Sequence, residues 1–219
     1  MSADSNAVPV FPLQTVLFPC IPLQLYIFEE RYKEMMAYCL ADKIDFVVAL
    51  IKEGQEALGP LARIHLRGCT ARILDVERLA GGRMQILAQG KEIVQLSKVY
   101  TDRAYMRADL TPVAFSRIIE AETEAATGDK IKTLLRTYYQ LVAGDELSIQ
   151  RLPEDTISLA YIAAHIVQIP LLARQQLLFQ ENQSDLVSAV INILQEQIGV
   201  ARAVRDHKPQ TDSTNFGLN

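Results

Sequence analysis

Tryptophan is absent from the sequence, and cysteine is scarce, with three in 219 residues. The cysteines, Cys20, Cys39 and Cys69, are odd in number and widely spaced, which excludes the disulfide framework of small secreted domains. We expect all three to be reduced thiols that are buried as small apolar side chains.

Long apolar runs are also missing. No stretch approaches the roughly 18 apolar residues that a membrane-spanning helix needs. The opening residues, MSADSNAVP, show no basic region followed by an apolar stretch, so a signal peptide is not expected. The sequence therefore predicts a cytoplasmic protein without a membrane segment.

An excess of basic charge is missing as well. The net charge is −4. Residues 1–113 contain 13 lysines and arginines against 13 acidic residues, and residues 114–219 contain 9 against 13. Neither half is a basic body suited to binding nucleic acid by counterion release. The charge pattern therefore argues against a nucleic-acid partner.

The N-terminal half has the pattern of short strands. Its apolar segments are interrupted by proline and glycine, and a proline cannot donate to a sheet ladder, so such strands should lie at edges or barrel corners. A helical period occurs once, at residues 29–40, and Gly81-Gly82 predicts a hairpin turn. The predicted strands are residues 8–13, 21–27, 45–51, 62–79, 83–88, 92–100 and 104–110. Such a set suggests a small closed or half-closed barrel.

The C-terminal half has the pattern of helices. Glycines at 128 and 144 predict two helix ends, Pro153 opens a third helix, and Ser184 is the predicted cap of a long last one. The other predicted helices are residues 116–126, 130–143 and 170–179. We therefore predict an α+β protein with a β-rich lobe at residues 8–113, a helical lobe at 114–206 and a disordered tail at 207–219.

A family resemblance begins at residues 10–32, which read VFPLQTVLFPCIPLQLYIFEERY. A proline-punctuated strand, a second "FP" step, a "PL" strand and a helix starting at "FEERY" follow one another. This order resembles the opening of the substrate-binding (N-terminal) domain of the Lon proteases. One position departs from the family pattern, because Cys20 stands where the family usually has glycine, and we expect the departure to alter a turn.

Further segments extend the resemblance from about residue 8 to about residue 205. They are GPLARI at 59–64, GGRMQILAQG at 81–90, YMRA at 105–108 and QQLL at 175–178. The resemblance implies a PUA-like β pseudo-barrel followed by a helical bundle, and a role in recognising other proteins. No G-x-x-x-x-G-K-[ST] phosphate loop occurs, and the Lon ATPase and Ser-Lys protease domains are not expected. We predict a non-catalytic module that binds protein or unfolded polypeptide, with an adaptor for proteolysis or quality control as one form.

Candidate partner-binding residues lie near the expected junction of the two lobes. Phe28 and Tyr32 are candidate contact aromatics, with packing at the mouth of the barrel as their structural alternative. Arg31 could bind a partner carboxylate by donating two hydrogen bonds, or it could pair locally with a glutamate such as Glu34. Two further arginines are candidates, with solvation at the surface as their alternative: Arg67 and Arg83.

Catalytic and metal sites find little support. His65 and Cys69, four apart on one strand, would be roughly 13 Å apart, too far for proton transfer. No C-x-x-C or H-x-x-x-H spacing links the cysteines with His65 or His165, so neither a metal nor a cofactor is predicted.

Three alternatives stay open. The first is RNA binding, by analogy with other PUA-like barrels, with a stripe formed by Arg63, Arg67, Arg72, Arg78 and Arg83. The second is an enzyme with a site in the cleft between the lobes. The third is a homodimer that pairs through the long last helix.

Overall fold

Seven strands and one helix form the N-terminal half of the computed structural model, which describes residues 7–56, 59–116, 121–144 and 152–206. The helix α1 (Glu30–Asp42) lies between the second and third strands. The strands are β1 (Val8–Leu13), β2 (Pro22–Ile27), β3 (Phe46–Glu53), β4 (Arg63–Ile64), β5 (Arg67–Arg78), β6 (Met84–Tyr100) and β7 (Met106–Pro112).

Five of these strands close into a ring. The hydrogen-bonded order β1-β7-β6-β5-β3 returns to its start because β1 also pairs with β3, in parallel. The other pairings are antiparallel. β4 extends the ring from β3, and within the described residues β2 pairs with β6 alone. The ring confirms the predicted pseudo-barrel and the α+β class.

The strand β6 corrects one prediction. Residues 83–88 and 92–100 were expected to be two strands, but β6 is one strand of 17 residues. β2 pairs with residues 84–89 of β6, β5 pairs with it along residues 84–95, and β7 pairs with residues 94–100. Gly90 lies within it, where a Cβ atom would stand 2.0 Å from the carbonyl oxygen of Phe18. The glycine therefore permits a close approach of two backbones and does not end the strand.

Four helices follow the ring in the described residues. They are α2 (Ala121–Ala143), α3 (Thr156–Ile166), α4 (Leu171–Leu177) and α5 (Gln183–Asp206). Two predictions were wrong here. The helices expected at 116–126 and 130–143 are one helix in the described part, since α2 runs through Gly128. The last helix begins before Ser184, because the Asn182 side chain accepts the backbone N–H of Asp185 at 2.8 Å.

One hydrophobic core joins the ring to the helices. Barrel residues such as Phe18 and bundle residues such as Tyr161 belong to the same buried cluster. Their rings stack with centroids 5.7 Å apart. A second, smaller buried cluster lies on the other face of β1 and β3, around Val10 and Val47. The predicted lobe boundary at residue 113 stays a prediction, and the predicted tail at 207–219 lies outside the described residues.

Candidate functional site

A groove of about 290 Å³ lies along β2. One wall is formed by Phe11, Leu13 and Thr15, and the other by residues 23–28. Glu29, Tyr32 and Glu56 complete its lining. We call this feature the β2 groove.

The burial of β2 alternates along the strand. Leu25 and Ile27 are buried, whereas Gln24 and Tyr26 are exposed. The period of two places one set of side chains against the core and the other toward solvent. The strand therefore buries Leu25 and Ile27 against the core and exposes Gln24 and Tyr26, and residues of both sets line the groove.

Two exposed aromatic rings stand beside the groove. Phe28 is 43% exposed and Tyr26 is 47% exposed, and their ring centroids are 6.0 Å apart. Phe28 was predicted as a contact residue, and Tyr26 was not. Tyr26 was detectable in the sequence, because it follows the outward parity of Pro22 and Gln24 in the strand PLQLYI.

Tyr32, the other predicted aromatic, forms the floor of the groove. It is 5% exposed, and its ring centroid is 4.2 Å from that of Phe11. Burial raises the pKa of its hydroxyl. Tyr32 therefore takes the packing role that was the structural alternative for it.

Arg31 is tied to the wall of the same site. It forms an ion pair with Glu29 at 2.9 Å and donates to the carbonyl oxygen of Gly59 at 3.0 Å. Its guanidinium lies 4.8 Å from the centre of the Tyr32 ring. The local partner is thus Glu29 and not Glu34, and these contacts connect the start of α1 to the segment that begins at Gly59.

Arg83 reaches the groove from the β5–β6 hairpin. Its Nη1 donates to the hydroxyl of Tyr26 at 3.0 Å, and its Nε donates to the carbonyl oxygen of Ala80 at 2.9 Å. The hairpin turn at Gly81-Gly82 is as predicted, with φ of 71° and 69°. Arg83 therefore holds the aromatic ring of Tyr26 in place.

Arg67 lies elsewhere, at the junction between the barrel and α4. It donates to the carbonyl oxygen of Leu178 at 3.3 Å, and its guanidinium lies 4.4 Å from the centre of the Phe179 ring. Gln175 donates from Nε2 to the Arg67 carbonyl at 2.8 Å. The structure thus brings Phe28, Arg31, Tyr32 and Arg83 together and places Arg67 apart from them.

The arginines proposed for an RNA-binding stripe are mostly engaged with the protein itself. Arg63 pairs with Glu53 at 2.8 Å, and Arg72 lies 3.6 Å from Asp45. Arg67 and Arg83 donate to backbone carbonyls, as described above. Four of the five arginines thus have partners within the protein: Arg63, Arg67, Arg72 and Arg83.

A larger groove, of about 820 Å³, lies between the end of α1 and β5. Its charged lining is largely satisfied, since Asp45 lies 3.2 Å from Lys91 and 3.6 Å from Arg72. Leu74 is the exposed large apolar residue in its lining. The β2 groove differs by having two exposed aromatic rings at its side.

Cys39 and Cys69 are buried thiols. Burial raises the pKa of both Cys39 and Cys69 to about 12. The expectation of burial was wrong for Cys20, which is exposed. Across the described ranges no group of three or more His, Cys, Asp or Glu side chains could hold a metal ion. Likewise, no helix in those ranges is long and apolar enough to cross a membrane.

Comparison with known proteins identifies the family resemblance. The family model of the ATP-dependent protease La (LON) substrate-binding domain matches residues 7–196. A Lon protease from Flavobacterium johnsoniae is 30% identical over 131 residues, which are 58% of this chain and 16% of the relative. The chain therefore spans a small part of that protein's length.

Two solved structures share the fold. The Lon N-terminal domain protein from Xanthomonas campestris has a TM-score of 0.60 at 18% identity, covering 89% of this chain and 98% of that one. The N-terminal domain of Mycobacterium avium complex Lon protease has a TM-score of 0.65 at 19% identity, covering 87% and 99%. At these identities the likeness concerns the fold.

Proposed function

Because the chain belongs to the family of ATP-dependent protease La (LON) substrate-binding domains, we propose that it is a non-catalytic module that binds protein segments in the β2 groove. The observation that carries the proposal is the exposed pair of Tyr26 and Phe28 beside an apolar groove. Exposed apolar surface at the edge of a concave site is typical of a binding surface.

The chemistry of the groove favours polypeptide as the ligand. Its lining is mainly aliphatic and aromatic, and its charged residues are both acidic, Glu29 and Glu56. An acidic lining repels phosphates and therefore disfavours RNA. Unfolded segments, in contrast, carry apolar side chains, and their transfer from water into an apolar groove lowers the free energy.

We assign the module no chemical step. A part in proteolysis or quality control would require an ATPase and a protease in addition to this module. In that arrangement this chain acts as an adaptor that gathers the segments to be processed. Cytoplasmic location, like the adaptor role, is part of this proposal.

The test is binding of an unfolded protein to variants of the exposed rings. We expect the double variant Tyr26→Ser/Phe28→Ser to bind reduced, carboxymethylated α-lactalbumin at least about tenfold more weakly than the parent, because two apolar contacts are lost. Binding is measured by fluorescence anisotropy, with circular dichroism to check the fold. Leu172→Ser is the matched control, since Leu172 is 61% exposed and lies on α4.

Two results would contradict the proposal. One is unchanged affinity in the double variant. The other is an equal loss in Leu172→Ser, which would mean that exposed apolar residues bind unfolded protein wherever they lie. A pull-down from native cytosol with unfolded protein as competitor then separates general from dedicated recognition. One stoichiometric partner that resists competition indicates a dedicated adaptor.

A further inference from the structure

We infer that the outer edge of β2 captures an extended polypeptide segment as an additional strand, and that the segment carries alternating apolar residues and at least one lysine or arginine. This inference rests on the proposed function, since it concerns the same groove. It adds the conformation of the ligand, the source of its affinity and its charge.

The first step is the position of β2 in the sheet. The ring closes through β1, β7, β6, β5 and β3, so β2 is not needed for closure. Among the described residues, β2 pairs with β6 on one side and has no strand on the other. An unpaired edge of this kind offers backbone donors and acceptors to an incoming chain.

The second step is the lining of the groove. Six consecutive residues, 23–28, line it. Successive side chains of a strand point to opposite faces, so a groove on one face would be lined by every second residue. Lining by consecutive residues means that the groove runs along the edge of the strand. Its six residues span about 17 Å at a rise of about 3.4 Å each, enough for a segment of similar length.

The third step is the direction of the backbone groups. Gly90 donates to the carbonyl oxygen of Ile21 at 3.0 Å, and Cys20 donates to the carbonyl of Gly90 at 2.8 Å. Hydrogen-bonded positions alternate along an antiparallel pair, so Leu23 and Leu25 direct their backbone groups toward β6. The N–H and C=O groups of Gln24 and Tyr26, and the C=O group of Pro22, therefore point to the outer edge.

The position of Pro22 agrees with this parity. It shares the parity of Gln24 and Tyr26, and a proline has no N–H to offer. A strand tolerates proline where the missing N–H would have faced away from its partner. The outer edge therefore begins with a carbonyl acceptor at Pro22, and its first backbone donor is at Gln24.

The fourth step is charge. The groove's charged lining residues are Glu29 and Glu56, of which Glu29 pairs with Arg31 and Glu56 accepts the backbone N–H of Gln14. On the outer face beside β2, the charged lining is again acidic, Asp75 and Glu77. Four carboxylates thus line the two grooves beside β2, against two arginines next to them, Arg31 and Arg83. This excess of negative charge favours a segment with a basic residue over an acidic segment or a nucleic acid.

The ligand-side test uses a fluorescent octapeptide with alternating leucine and threonine and a lysine at one end. Two matched versions are N-methylated on the amides of the leucines or on those of the threonines. An added strand directs only alternate amides toward β2, so one version should bind about tenfold or more weakly and the other within about twofold of the parent peptide. Affinities are measured by anisotropy.

The protein-side test uses Gln24. Gln24→Pro removes its outward N–H, and Gln24→Ala keeps that N–H while removing the same side chain. We expect Gln24→Pro to weaken binding of the parent octapeptide about tenfold and Gln24→Ala to change it less than about twofold. Urea denaturation checks that both variants fold. If Gln24→Pro does not fold, the two methylated peptides decide the matter alone.

The outcomes separate this inference from the proposed function. If both methylated peptides bind like the parent, capture at the strand edge is wrong and the groove remains a binding site. If the parent octapeptide does not bind the unmodified protein while carboxymethylated α-lactalbumin does, capture at the strand edge is wrong and the proposed function stands. If neither binds, both proposals are wrong. Replacement of the lysine by glutamate should weaken binding, and unchanged binding overturns the charge assignment. Tighter, salt-sensitive binding of an oligouridylate would overturn the choice of a polypeptide.

Discussion

At the scale of single residues, Cys20 occupies a backbone conformation that usually belongs to glycine. Its φ is 66°, and its N–H donates to Gly90 at 2.8 Å. The sequence comparison with the Lon family suggested that cysteine at this position would alter a turn. The left-handed conformation is present with cysteine in place, so the side chain is accommodated there at a cost in free energy.

The cost can be measured by comparing Cys20→Gly with Cys20→Ala. Both variants remove the thiol, whose sulfur lies 3.7 Å from the hydroxyl of Ser158. We expect the glycine variant to have a free energy of unfolding about 1 kcal/mol above that of the alanine variant, because only alanine retains the left-handed strain. Urea denaturation measures it. An alanine variant of equal or greater stability would show that the turn relaxes without cost.

The buried thiols predict a loss of stability in alkali. Burial raises the pKa of Cys39 and of Cys69 from 9.0 to about 12, and it also raises the pKa of Tyr161. The folded state therefore keeps protons that the unfolded chain releases above pH 9. The free energy of unfolding should fall as the pH rises from about 9 to about 12, by up to about 1.4 kcal/mol per pH unit for each thiol.

Urea denaturation at pH 8, 9.5 and 10.5 tests this pH dependence. The double variant Cys39→Ala/Cys69→Ala is less stable overall but should lose less stability per pH unit than the parent. An equal slope in both proteins would mean that the thiols do not cause the alkaline loss. The tyrosines would then be the remaining candidates.

At the scale of elements, two glycines lie inside a strand and a helix that continue through them. Gly128 was read as a helix end, yet it lies within α2, where a Cβ atom would stand 3.3 Å from Oγ1 of Thr156. Gly90 lies between two segments that were predicted as separate strands, yet it is within the single strand β6. In both cases the missing side chain leaves room for a segment that is distant in sequence and packs closely against the glycine.

Gly90→Ala should therefore destabilise the protein strongly. The added Cβ would lie 2.0 Å from the backbone oxygen of Phe18, so β6 or the turn before β2 must move. We expect a loss of about 3 kcal/mol in the free energy of unfolding. Gly199→Ala is the matched control, because Gly199 lies in α5 with no atom within 4 Å of the added Cβ, and it should gain up to about 1 kcal/mol. If Gly90→Ala and Gly199→Ala changed the free energy of unfolding by similarly small amounts, the close approach at Gly90 would be refuted.

At the scale of the whole molecule, Arg67 joins the barrel to the helices. It was predicted as a partner-binding residue or a solvated surface residue, and the structure places it against Leu178 and Phe179. The residues around Arg67 in the sequence did not predict this contact, because Arg67 and Leu178 are more than a hundred residues apart in the chain.

Arg67→Ala should lower the free energy of unfolding by about 1–2 kcal/mol, because a charged hydrogen bond and a contact with an aromatic ring are lost. Arg63→Ala is the control. Its ion pair with Glu53 is mostly exposed, at 71% and 57%, so its loss should cost less than about 0.5 kcal/mol. If Arg67→Ala abolished binding of unfolded protein and left stability unchanged, the junction role would be wrong and the partner role right.

The sequence alone determined the features that depend on residues close together in the chain, namely single strands and helices and the family motifs. Short apolar runs predicted β1 and β3, and the helical period predicted α1 and the long last helix, because these patterns reflect how a local element is buried. The segment that ends in FEERY carried the family resemblance and led to Phe28, Arg31 and Tyr32. Phe28 and Tyr32 line one groove, and Arg31 pairs with Glu29 in its lining.

The tertiary structure decided what depends on distant pairing. The parallel contact between β1 and β3 closes the ring, and in the part of the chain that the structure describes β2 is left with one unpaired edge. That edge makes Tyr26 and the backbone of Gln24 candidates for binding, and the junction with α4 engages Arg67 instead. Such contacts join residues far apart in the chain, and a local pattern contains no information about which distant segment will lie beside it.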